Sequence, residues 1–192
     1  MKQAIDVSNY TGPITPEQMA EIKAAGITKL IAGTQVPSVC WQQLLTAKDA
    51  GLLVEAYLQL DWSKSAKDQI ESAAWAVGGL IFLTERLWIV VENPSGLSFQ
   101  AFLGDAVREA RRLGFNPGIY TNRSSWDNMT SKAAFKNLPL WWAHYDGGYY
   151  VGGYYDAFAW RRDGFGGWWH PAMKQWAKDQ YIAGVLCDLN VY

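Results

Sequence analysis

LWIVVENP, residues 87–94, decides how this chain is read. It is a short apolar run of β-branched and aromatic residues, the composition of a buried strand. It halts on one carboxylate, Glu92, before the turn residues Asn93, Pro94 and Gly96. A buried strand that ends in an acid makes sense in a parallel barrel, whose strands open at their C-terminal ends onto the catalytic mouth. Glu92 is then a candidate acid. Its same-face neighbour is Val90, which is not an acid, so Glu92 must find its partners elsewhere in the chain.

Upstream, QAIDV at 3–7 is a first strand, and TPEQMAEIKAAG is a helix with Thr15 as cap, Pro16 in the first turn and Gly26 at its end. TKLIAGT is a second strand, CWQQLLTAKDAG a helix closed by Gly51, LLVEAYLQL a third strand and SKSAKDQIESAAWAVGG a third helix. Downstream of Glu92, SFQAFLGDAVREARRLG is helical and NPGIYT is the fifth strand. Strand and helix alternate with short connections, which is the signature of parallel pairing through right-handed crossovers. After Thr121 the helices fade, and LPLWWAHY, MKQWAKDQY and GVLCDLNVY bring the strand count to eight. No internal repeat or linker composition breaks the chain, so residues 1–192 read as one α/β barrel domain.

Composition narrows the partners. Seventeen Lys and Arg against eighteen Asp and Glu leave a net charge of -1, so no bulk field draws nucleic acid or an anionic membrane. No apolar run has the length of a membrane helix, and MKQAIDVSNY enters a strand pattern without a signal-peptide core. Cys40 and Cys187 read as two buried thiols rather than a disulfide framework. His144 and His170 stand apart from any Cys/His cluster, so neither a metal site nor a cofactor is expected.

In a closed parallel barrel the first and last strands are neighbours and the fourth lies across the mouth. Asp6, Glu92 and Asp188 would then converge at one end, with Asp61, just after the third strand, as a fourth candidate. Tyr57, Tyr120 and Tyr145 fall near the ends of strands three, five and six. Trp141, Trp142 and Trp176 read as core or pocket wall, whereas Trp168, Trp169, Tyr149, Tyr150, Tyr154 and Tyr155 lie in an irregular Gly-rich segment suited to ligand contact. Each acid taken alone could be a turn-former. Together, carboxylates and aromatic faces without a phosphate loop point to carbohydrate.

These residues resemble the family 25 glycoside hydrolases, the muramidase-type lysozymes of bacteria, phages and some fungi. IDVSNYTG is similar to that family's opening Asp-x-Ser motif, AGLLVEAYLQL to its third strand, and LWIVVEN stands where its Asp-x-Glu motif belongs. GFNPGIYTN, LPLWWAHYD and MKQWAKDQYIAGVLCDLNVY resemble its fifth strand, its Leu-Trp-x-Ala-x-Tyr segment and its Val-Asp-x-Asn ending. The resemblance implies a TIM-like (β/α)5(β)3 barrel. It also implies cleavage of the β-1,4 bond between N-acetylmuramic acid and N-acetylglucosamine, with Glu92 as general acid, Asp6 and Asp188 holding substrate, and retention assisted by the substrate's N-acetyl group. Two departures stand out: Val90 replaces the family's Asp, and Leu58 follows Tyr57 where an aromatic-His pair belongs. Asp61 or Asp6 could reach the vacated position.

The expected protein is therefore a monomeric peptidoglycan hydrolase. It would be made in the cytoplasm without a signal peptide and would act at the cell wall after release, as a phage endolysin does. The alternative is a weak or inactive barrel that grips wall glycan, for instance as part of a virion.

Overall fold

The computed structural model describes residues 2–81, 83–92, 99–128, 135–145, 160 and 164–192. Eight strands form one closed barrel in sequence order: β1 (Gln3–Val7), β2 (Ile27–Gly33), β3 (Leu53–Gln59), β4 (Leu87–Val91), β5 (Pro117–Thr121), β6 (Leu140–Ala143), β7 (Met173–Ile182) and β8 (Val185–Val191). Helices α1 (Pro16–Ala24), α2 (Pro37–Asp49), α3 (Ala66–Val77) and α4 (Phe99–Arg112) connect the first five strands, and a short α5 (Arg123–Asp127) follows β5. This is the α/β barrel the alternation predicts. The turn residues Asn93, Pro94 and Gly96 lie outside the described residues.

One expectation is corrected. Strands β1 to β7 run parallel, but β8 is antiparallel to both β7 and β1. The cause is the length of the connection: only Ala183 and Gly184 separate β7 from β8, and a parallel return needs a crossover of a dozen or more residues. Both linking residues have positive φ, 52° and 73°, as a two-residue hairpin turn of type I′ requires.

Strand alternation sorts the core into two shells. Outward-facing Ile5, Leu30, Val54, Ile89, Ile119 and Trp142 pack beneath the helices. Inward-facing Ala4, Ile31, Trp88, Val90, Tyr120, Trp141, Ala143 and Met173 fill the barrel. Near the N-terminal ends of the parallel strands the interior is polar but paired: Lys29 Nζ lies 2.6 Å from Glu55, whose other oxygen accepts the Trp88 indole N–H at 2.5 Å. Gly118 is required there, because a Cβ on it would fall 2.5 Å from the Trp88 ring. Trp88 thus plugs one end of the barrel, and the space left for a ligand lies at the other.

Candidate active site

At the C-terminal ends of the parallel strands the interior opens into a cleft lined by Asp6, Tyr57, Gln59, Val90, Glu92, Tyr120, Trp141, Gln175 and Asp188. Each comes from an inward position of its strand or from the residue just beyond it. Glu92 follows the last residue of β4 and reaches the mouth as the barrel interior ends. Trp62, packed on Phe99 and Phe102, donates its indole N–H to the Glu92 carbonyl at 3.3 Å and so ties down that strand end.

Asp6 and Asp188 are direct register partners across the β1–β8 ladder. A single hydrogen-bond network holds them. Trp141 donates to Asn190 Oδ1 at 2.8 Å, and Asn190 donates to Asp6 Oδ2 at 2.7 Å. Gln175 Nε2 donates to Asp6 Oδ2 at 2.8 Å and to Asp188 Oδ2 at 3.1 Å, while the backbone N–H of Asp179 donates to Asp188 Oδ1 at 2.8 Å. On its other side Gln175 Oε1 accepts the hydroxyls of Tyr120, at 2.7 Å, and Tyr145. Trp141 forms the floor, edge-on to Tyr57, Trp88 and Tyr120.

The acids are tuned together. Burial, and then the neighbouring Asp188, push the Asp6 carboxyl up to about 7, against the hydrogen bonds of Asn190 and Gln175. Burial also raises Glu92 and Asp188, and the ammonium of Lys178 opposes both shifts. The field of the same carboxylates raises Tyr57, Tyr120 and Tyr145 after burial has done so, which marks the acids and the tyrosines as one electrostatic unit. Three raised carboxyls around one aromatic floor provide a proton donor and anionic acceptors in a half-dry cavity. Among the described residues, no group of three or more His, Cys, Asp or Glu could hold a metal ion.

Asp6, Glu92, Asp188, Tyr57, Tyr120, Tyr145 and Trp141 thus come together, Tyr145 as a half-exposed rim residue. Three predicted residues, Asp61, Trp168 and Trp169, do not join them. Asp61 accepts from the backbone N–H and hydroxyl of Ser63 and pairs with Lys64 at 2.9 Å, an exposed turn in which these partners hold its carboxyl down at about 2. It does not line the cleft and does not take the place beside Val90. Trp168 is no ligand platform: it is buried 4.6 Å from Trp126, with its indole N–H on the Leu138 carbonyl at 2.7 Å. Trp169 is 90% exposed, outside the cleft lining. Tyr149, Tyr150, Tyr154 and Tyr155 lie outside the described residues.

Sequence reading missed Gln59, Gln175 and Asn190. Strand parity could have found them, since each shares the inward face with a residue already chosen: Gln59 with Tyr57, Asn190 with Asp188, and Gln175 with Met173. A polar side chain on the inward face of a barrel strand has to answer to the site or to another buried polar group.

Comparison with known proteins places this architecture. A family model described as lysozyme-like protein 1 matches residues 1–176. The probable GH family 25 lysozyme 3 of Dictyostelium discoideum is 30% identical across 97% of this chain, and lysozyme-like protein 5 of Caenorhabditis elegans is 27% identical across 98%. The match spans 40% of the former protein and 90% of the latter. Among solved structures, the CTP1L endolysin superposes with a TM-score of 0.72 at 18% identity, covering 100% of this chain and 66% of that one. GHIP, a glycosyl hydrolase 25 of Streptococcus pneumoniae, gives 0.69 at 15% identity, covering 99% and 86%. The two structures share the fold; the family match covers most of the sequence. The chain belongs to the lysozyme-like proteins of glycoside hydrolase family 25.

Proposed function

We propose that this barrel is a peptidoglycan hydrolase that cleaves the β-1,4 bond between N-acetylmuramic acid and N-acetylglucosamine, with Glu92 as general acid. The observation that carries the reading is the convergence of Glu92 with the Asp6–Asp188 pair over the Trp141 floor. The raised Glu92 carboxyl keeps its proton further toward neutral pH than an exposed glutamate would. It donates that proton to the leaving glycosidic oxygen as the C1–O bond breaks and the substrate's own acetamido oxygen bonds to C1. Water then attacks C1, reopening that ring and returning a proton to Glu92. Asp6 and Asp188 bear on the positive charge that builds between these steps. Neither needs Asp61.

A second reading is favoured by one residue. Val90 stands inside the cleft, buried and apolar, where the resemblance asks for an Asp. A barrel without that charge could keep its grip on wall glycan and lose turnover.

Reducing ends and soluble muropeptides released from purified peptidoglycan separate the two. The hydrolase releases them and Glu92→Gln does not. A glycan-binding barrel releases none, while wild type and variant both still sediment with the wall.

A further inference from the structure

We infer that Gln175 is a positioning residue that fixes the hydrogen-bond polarity of the cleft wall around it, so that this wall, once its carboxyls are ionised, accepts hydrogen bonds from a ligand and does not donate them. A primary amide offers two N–H hydrogens, and its oxygen accepts two hydrogen bonds. All four capacities of Gln175 are committed, to Asp6 and Asp188 on one side and to the Tyr120 and Tyr145 hydroxyls on the other. The amide cannot be turned over, because its carbonyl would then oppose two carboxylates. With each tyrosine's one hydrogen on Gln175, the 3.3 Å contact between the two hydroxyls, in which either oxygen could otherwise donate, carries no hydrogen of its own. Both phenolic oxygens are left as acceptors, beside two carboxyls that accept when ionised.

A wall of this kind selects for donors. Sugar hydroxyls qualify, and so does an acetamido N–H, whereas a carbonyl presented to the same face with its carboxyls ionised meets only lone pairs. The identification of that N–H with an N-acetylhexosamine rests on the function proposed above; the polarity of the wall does not. Among the described residues, the titratable and charged groups around Gln175 are Asp6 on β1, Tyr57 on β3, Glu92 after β4, Tyr120 on β5, Tyr145 after β6, Lys178 on β7 and Asp188 on β8. Lys178, 5.6 Å above the Tyr145 ring, is the cation among them.

The test uses the whole chain and needs no turnover. Aspartate carboxyl carbons, isotopically labelled, are titrated by NMR in wild type and Gln175→Met, and binding of an N-acetylglucosamine tetramer is measured alongside. Gln175→Met keeps the side-chain length and removes every polar contact. The Asp6 carboxyl should then titrate higher than in wild type, because the lost donor favoured its anion, and tetramer affinity should fall about 10-fold. Gln175→Glu keeps both acceptor contacts but can donate only when protonated, so its binding should survive at acid pH and fade as pH rises. An Asp6 titration unmoved by Gln175→Met, or a Gln175→Glu binding profile that overlies wild type, would overturn the proposal and leave Gln175 as packing. A wild-type protein that releases no reducing ends would remove the hydrolase reading yet leave both of these measurements intact.

Discussion

Asp6 is buried against Asp188, and that position makes it a liability for the fold as well as an asset to the cleft. Its carboxyl is raised from 3.8 to about 7, so between those limits the native state holds a proton that the unfolded chain has released. Stability contributed by Asp6 is therefore greatest below the lower limit and is lost as pH climbs through the window. Glu92 and Asp188 are raised as well and act in the same direction. Stability should fall by on the order of a few kcal/mol between about pH 4 and about pH 7, read as a falling melting temperature, and Asp6→Asn should flatten that slope. Equal slopes in the two proteins would contradict the raised Asp6 carboxyl. Val90 makes the opposite trade, contributing apolar packing at 4% exposure beside the acids. Val90→Asp should raise the rate of muropeptide release on the order of 100-fold, at a cost of about 2 kcal/mol in thermal unfolding for burying a new carboxyl. A variant no faster than wild type would show that the missing anion is not what limits the rate.

At the level of elements, the sequence carried each parallel strand and each long helix, because apolar periodicity and capping residues are local signals. Ser65 accepts from the Asp68 N–H and Thr15 from that of Gln18, the kind of cap that sequence spacing suggests. What escaped was short or set by direction. Helix α5 has five residues and is marked only by the Asn122 side chain accepting from Ser125. The antiparallel turn into β8 hinges on two residues, Ala183 and Gly184, which a search for periodic segments passes over. The aromatic-rich segment misled in another way: Trp168 and Trp169 are adjacent, yet one is buried against α5 and the other faces solvent. Composition cannot separate them, because the difference lies in tertiary contacts with Trp126 and Leu138. Trp168→Ala should cost about 3–5 kcal/mol in thermal unfolding, while Trp169→Ala leaves the melting temperature near that of wild type. Comparable losses in both would mean that the segment packs otherwise.

Across the whole molecule the barrel separates stability from chemistry along its axis. One end is closed by the Lys29–Glu55–Trp88 cluster, buried and mutually paired, and the other opens on carboxyls whose protonation is set by burial. The convergence of Asp6, Glu92 and Asp188 was legible in advance because closure brings the first and last strands together. The amides between them were not, because Gln175 and Asn190 carry no charge and gain their meaning from neighbours more than 150 residues away in sequence. A cleft that works as proposed cuts the glycan strand on the N-acetylmuramic acid side. Purified peptidoglycan digested by wild type and by Glu92→Gln, reduced with borohydride and hydrolysed to its sugars, tests it most directly. The account predicts muramitol from the wild-type digest and none above background from the variant; glucosaminitol as the new reducing end, or equal muramitol from both proteins, would contradict it.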